Sequence, residues 1–218
     1  FRNNQQFLKE NIHKVINLSF LDQSCFFARE FMKHPDFDIN YYSEKSKFSI
    51  LGNAISDSNV KAVEILINDP KLKINNNAYK LFPPLTVACG SLCDTKIVKL
   101  ICQHPDVDVN LKDGRYNVNS FELSASKGNL YSLNYLIKNV PKLDITSIGC
   151  LLHFSLKSRN LKTMAILLNY YIDKNKNIKY DEIENLIKHF SFDADYHEEY
   201  LVDFRNVYDE LTKNNNIE

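Results

Sequence analysis

His34-Pro-Asp-Phe-Asp-Ile-Asn40 returns as Asp69-Pro-Lys-Leu-Lys-Ile-Asn75, again as His104-Pro-Asp-Val-Asp-Val-Asn110, and in weaker form as Val140-Pro-Lys-Leu-Asp-Ile-Thr146. The prolines fall at 35, 70, 105 and 141, so the spacing is 35, 35 and 36 residues. One register uses four of the six prolines in the chain, and such a period is the mark of a repeat architecture. Working backwards from each proline gives three columns. Ile16, Leu51, Leu85, Phe121 and Leu152 are large and apolar. Ser19, Ala54, Ala88, Ser124 and Ser155 are uniformly small, and Phe31, Leu66, Ile101, Leu136 and Leu167 are again large.

These columns predict, in each unit, a short helix with one large and one small buried position, then a polar turn. A second helix follows, as over 60–67 and 130–137, apolar at i, i+3, i+6 and i+7. The proline ends it, because it has no N–H to donate and disfavours helix in the residue before it. A small side chain in the second column fits first helices that stack closely from unit to unit.

The pattern resembles the ankyrin-repeat family, whose repeat of about 33 residues starts T-P-L-H-x-A. The matching starts are Ser49-Ile-Leu-Gly-Asn-Ala54, Pro83-Pro-Leu-Thr-Val-Ala88, Asn119-Ser-Phe-Glu-Leu-Ser124 and Cys150-Leu-Leu-His-Phe-Ser155. Ser126-Lys-Gly-Asn-Leu-Tyr-Ser-Leu-Asn-Tyr-Leu-Ile137 looks like the family's helix pair. Asp38/Asn40 and Asp108/Asn110 resemble its D-V-N. The tetrapeptide is never complete; the specificity lies in the register. The fold expectation is all-α: an ankyrin-like helix-turn-helix solenoid with a helical C-terminal cap. Residues 1–11 lead in, and five repeats cover 12–173 (12–47, 48–82, 83–118, 119–148 and 149–173). Residues 174–218 form an acidic helical cap, with stripes Ile183, Leu186, Ile187, Phe190 and Tyr196, Tyr200, Phe204, Tyr208, Leu211. The third repeat has an extra residue in its inter-helix turn, and the fourth has one before Pro141. The spacing after Asn40, Asn75 and Asn110 leaves room for β-hairpin fingers; that after Thr146 does not.

The chemistry of sites is sparse. Five cysteines, at 25, 89, 93, 102 and 150, have no disulfide spacing, which favours free thiols in a reducing compartment. Cys89, Cys93, Cys102 and His104 invite a zinc reading, but the register opposes it. Cys102 shares a column with Met32, Ile67, Ile137 and Leu168, Cys89 with Phe20, Ile55, Ala125 and Leu156, and Cys25 with Val60, Leu130 and Leu161. Cysteine there substitutes for an apolar core residue. His197-Glu198 opens a zinc-protease pattern whose second histidine is absent, since position 201 is Leu. Phosphate-binding and nucleophile-elbow glycine motifs are missing. The acidic pairs Asp181/Glu182 and Glu198/Glu199 read as solvated faces, and His34 and His104 as loop hydrogen-bonding groups. Asn17-Leu-Ser19 is a glycosylation sequon on a predicted packed helix. No catalytic residue, metal, cofactor or small-molecule substrate is expected.

In 218 residues, 27 Lys and Arg cancel 27 Asp and Glu, which removes the global basic excess that nucleic-acid binding needs. The cancellation is uneven. Residues 181–210 hold ten acids against Lys188 and Arg205, a net of −8, so the remainder carries +8. Asn is about one residue in eight, and AT-rich coding bias is its plain reading. No apolar run approaches the roughly 18 residues that span a bilayer, and the start shows no secretory h-region. The expected location is the cytoplasm, with cytoskeleton and nucleus open. A start at Phe1 and not Met leaves room for an upstream segment.

What the resemblance implies is a non-enzymatic protein–protein interaction module. The expected partner-binding residues are Tyr41, Tyr42, Lys45, Tyr79, Lys80, Lys112, Arg115 and Tyr116, since Tyr and Arg are enriched at interfaces. An acidic protein partner would suit them. Two other readings stand: an architectural building block of a large assembly, and an adaptor region of a longer multidomain chain.

Overall fold

A computed structural model describes residues 11–14, 25–42, 48–75, 82–91, 93–175, 178–189 and 198–215. The described chain is all-helical; an isolated antiparallel bridge between Tyr42 and Ser49 is the nearest approach to a strand among these residues. It divides into two compact units, residues 1–120 and 121–218. That division cuts across the five predicted repeats and groups the C-terminal helices with the last two of them.

The first unit holds α1 (Phe26–Phe31), α2 (Ile50–Ser56), α3 (Val60–Ile67), α4 (Pro84–Gly90) and α5 (Thr95–Cys102), after a helical stretch at 11–14. Each helix is short, and tertiary packing, not intrinsic propensity, holds helices of this length. α2 packs on its partner α3 and on the next first helix, α4; α4 packs on α5, and α3 on α5. Within these four helices, the first members of the two pairs touch each other and so do the second members. Leu51 and Leu85 are buried, as are Leu66 and Ile101, and so are the small Ala54 and Ala88. Phe31, the first-repeat member of the third column, is only half-buried.

The second unit contains α6 (Ser120–Lys127, its first residue closing the first unit), α7 (Leu130–Asn139), α8 (Ile148–Lys157), α9 (Leu161–Lys174), α10 (Tyr180–His189) and α11 (Glu198–Asn215). α8 packs on α9, and α9 on α7. α10 lies against α8, and α11 against both α8 and α9. Ile183, Ile187 and Phe204 are buried in these contacts, and Phe204 joins Tyr180 (5.1 Å between centroids) and Tyr208 (6.2 Å) in an aromatic cluster. Phe190 and Tyr196 of the predicted stripes lie outside the described residues.

The inter-helix turns have a common chemistry. Ser58, Gly128 and Arg159 take left-handed φ of 54°, 65° and 53°. Each is followed by an asparagine that caps the second helix: Asn59, Asn129 and Asn160 accept from the N–H of Ala62, Ser132 and Thr163. The same asparagines donate their own N–H to Ala54, Ser124 and Ser155 at 2.9, 2.9 and 2.8 Å. The carbonyls of the small column therefore close the preceding helix, a Schellman arrangement. Part of the asparagine excess is thus structural. The third repeat differs, as its extra residue predicts: Ser91 is extended, and Asp94 caps α5 through the N–H of Lys96.

Two local expectations are corrected. α8 begins at Ile148, three residues ahead of its sequence register, because the Asp144–Thr146 turn feeds straight into it without a finger. Cys25 does not open a helix as Val60, Leu130 and Leu161 do. It precedes α1 with φ 52° and is fully buried there.

Candidate partner-binding surface

The repeated loops set the spacing of the surface. In the first loop the Asp38 carboxylate accepts the N–H of Asn40 at 2.9 Å. The Asn40 carboxamide then reaches the next loop, donating to Lys71 O at 2.9 Å and accepting from Lys73 N–H at 2.7 Å. Asn75 repeats this one unit on, donating to Asp106 O and accepting from Asp108 N–H at 2.8 Å. Buried Ile39 and Ile74 sit directly before the two asparagines. Both loop histidines have backbone work: His34 Nδ1 accepts from Asp36 N–H and His104 Nδ1 from Asp106 N–H, each at 3.2 Å.

On that spacing stands a row of aromatic rings. Phe48 and Phe82 lie 5.7 Å apart between centroids, and Phe82 and Tyr116 6.3 Å apart. Tyr116 is 61% exposed, and the Arg115 guanidinium lies 5.2 Å from its ring centre. Such aromatic pairs add about 0.5–1.5 kcal/mol beyond their buried area. The position of Tyr116 comes from Asp113, which is buried. One carboxylate oxygen of Asp113 accepts the N–H of Arg115 at 2.8 Å and of Tyr116 at 2.5 Å, and its own N–H donates to Val118 O at 2.9 Å. Asn117, at φ 56°, completes this tight turn. It is a carboxylate-centred loop where the sequence suggested a hairpin finger.

Tyr41 belongs to a second aromatic contact. It stacks on His13 with centroids 3.8 Å apart and rings within 9°. His13 Nε2 accepts from Asp38 N–H at 3.2 Å, and burial lowers its pKa, with the Asp38 charge opposing. Tyr42 pairs with Ser49 in the isolated antiparallel bridge. Lys112 is half-buried, and Lys45, Tyr79 and Lys80 lie outside the described residues. The structure therefore brings Arg115 and Tyr116 together and adds Phe48 and Phe82, which the sequence reading left out. Their equal 34-residue steps, 48, 82 and 116, were the available signal.

The predicted positive charge is not where these rings are. Residues 1–120 hold 15 basic and 13 acidic side chains, a net of only +2. Residues 121–180 hold nine against three, a net of +6.

All five cysteines are free thiols, and Cys25 and Cys89 are fully buried. Burial pushes the Cys102 thiol up to about 12, with a smaller contribution from Cys89. Burial also raises Cys93 and Cys150. Among the described residues no group of three or more His, Cys, Asp or Glu is placed to hold a metal ion, and no helix is long and apolar enough to cross a membrane. No protein-family model matches the chain, and comparison with curated proteins gives no match.

Proposed function

We propose that the chain is an ankyrin-like repeat module that recognises a partner protein, without catalysis, through the Phe48–Phe82–Tyr116 row and the adjoining Arg115. The observation that supports this reading most is the row itself. Three rings recur at one step per repeat, and their exposed end carries an Arg–Tyr pair, the residue types that dominate binding energy at protein interfaces. The backbone of Arg115 and Tyr116 is held by the Asp113 carboxylate, so docking on that end orders little that is not already ordered. The layered packing of α2 on α4 and of α3 on α5 is what a repeat stack requires. An electrically near-neutral unit makes aromatic packing, not an acidic partner, the main source of affinity.

The test starts from affinity capture with mass spectrometry from the native source, followed by titration of the purified partner. Arg115→Ala with Tyr116→Ala is expected to weaken binding about a hundredfold, from loss of roughly 2–4 kcal/mol at a hot spot. Equal affinity of the double variant would defeat the site assignment.

A further inference from the structure

The second unit carries two surfaces of opposite sign, each with an exposed apolar side chain at its centre. The first surrounds the inter-helix turns of α6–α7 and α8–α9. These turns touch: a Cβ added at Gly128 would lie 2.9 Å from the Asn160 side-chain nitrogen. Ser126, Leu151, Phe154, Ser158 and Asn160 line one shallow notch there. Phe154 is 57% exposed, and Leu161, the first residue of α9, is 39% exposed. Lys127, Lys157, Arg159 and Lys162 flank these residues in sequence, and all four are exposed. The only acids among residues 121–172 are Glu122, which is buried, and Asp144.

The second surface is the solvent side of α10 and α11. Asp181 and Glu182 are exposed in the first turn of α10. On α11 Val202 is 57% exposed, and Asp209, two turns on, shares its face, with Glu210 exposed alongside.

We propose that these two surfaces dock on one another between copies of this chain, head to tail. The cationic turn face around Phe154 of one copy receives the acidic α10–α11 face around Val202 of the next. The occupant is a second copy because faces of complementary sign, each with an exposed apolar side chain, are both present on this chain: Lys127, Lys157, Arg159 and Lys162 around Phe154, against Asp181, Glu182, Asp209 and Glu210 around Val202. Contact between two different patches is heterologous, so it closes into a ring or runs on as a filament. The opposed charge supplies encounter rate and register, and Phe154 with Leu161 supplies the dry centre. The proposal is independent of the aromatic row of the first unit.

Sedimentation velocity across a concentration series at low and high salt tests it. The wild-type chain is expected to associate in a concentration-dependent way at low salt and to dissociate at high salt, as exposed charge pairs are screened. Lys127→Glu with Lys162→Glu keeps the acidic face and removes the basic one; Asp209→Lys with Glu210→Lys does the reverse. Each variant alone should associate about tenfold more weakly or worse. A mixture of the two should associate again, because the native faces still meet and the two reversed faces are once more opposite in sign. Phe154→Ala should weaken association while leaving the thermal midpoint in place, and circular dichroism shows that each variant folds. A wild-type chain monomeric at every concentration and salt overturns the proposal. So does association that survives both charge reversals. A monomer that binds poly-glutamate through Lys127 and Lys162 would overturn it too, assigning the basic face to a foreign acidic polypeptide.

Discussion

Asn75 does for the loop at Asp106 and Asp108 what Asn40, thirty-five residues earlier, does for the loop at Lys71 and Lys73. Each carboxamide uses its oxygen and its nitrogen at once, so neither Asp nor Leu is an equivalent replacement. Asn75→Ala removes both bonds at a solvent-exposed site and is expected to cost about 1–2 kcal/mol. Asn75→Asp keeps the acceptor for Asp108 N–H but places a carboxylate against Asp106 O, and should be at least as harmful. Urea unfolding followed by circular dichroism reads both. An unchanged midpoint for Asn75→Ala would mean that helix packing alone sets the loop spacing.

How much of this was legible in the sequence divides along physical lines. Most of the first column was readable because burial repeats with the period: Leu51, Leu85, Phe121 and Leu152 are all buried, while Ile16 lies outside the described residues. The small column was readable for the same reason. The clamps were half readable. Asn40 and Asn75 stood out in their motif, but nothing local says that a carboxamide will bond a loop thirty-one to thirty-three residues away. Asp113 was opaque, because a carboxylate in a polar loop looks solvated until its N–H partners are seen to enclose it. The aromatic row is hard to read for another reason: nothing local marks a phenylalanine such as Phe48 or Phe82 as half-buried beside an exposed tyrosine rather than as core.

The left-handed turn residues give a paired prediction. Gly128→Ala places a Cβ at φ 65° and 2.9 Å from the Asn160 side chain, and should destabilise by about 1–2 kcal/mol. Arg159 holds φ 53° with a full side chain, so Arg159→Gly relieves strain there and should be neutral or stabilising by up to about 1 kcal/mol. Opposite signs in thermal midpoint are the diagnostic. Loss in both variants would contradict the shared turn geometry.

The core columns predict asymmetric responses to size. Leu136 is fully buried on α7, and Leu136→Ala should cost about 2–5 kcal/mol through lost transfer energy and the cavity left behind. Ser124 is equally buried but belongs to the small column, where its carbonyl closes α6 through Asn129 N–H. Ser124→Leu should cost about 1–3 kcal/mol by overpacking, whereas Ser124→Ala should be mild. Chemical denaturation of the three variants ranks them; a tolerated leucine at 124 would show that the helices around that site are not in close contact.

Cys102 predicts how the fold fails in alkali. Its thiol is pushed up to about 12 by burial, against 9.0 for an ordinary cysteine. The folded chain therefore holds the proton over a range in which the unfolded chain has released it. The stabilisation is complete below pH 9 and is lost as pH rises from there toward 12, by up to about 1.4 kcal/mol per pH unit. The thermal midpoint should fall over that interval in parallel with any contribution from Tyr170, Tyr180 and Tyr208, whose hydroxyls burial also raises. Cys102→Val, matching the apolar residues of its column, removes the thiol contribution and should flatten the slope relative to wild type. Alkylation gives an independent reading. At pH 8 the native chain should react slowly at Cys102, Cys25 and Cys89, and the denatured chain rapidly at all five cysteines. Fast native alkylation at Cys102, mapped by peptide mass spectrometry, would show that its thiol is open to solvent and that the α5 register is misplaced.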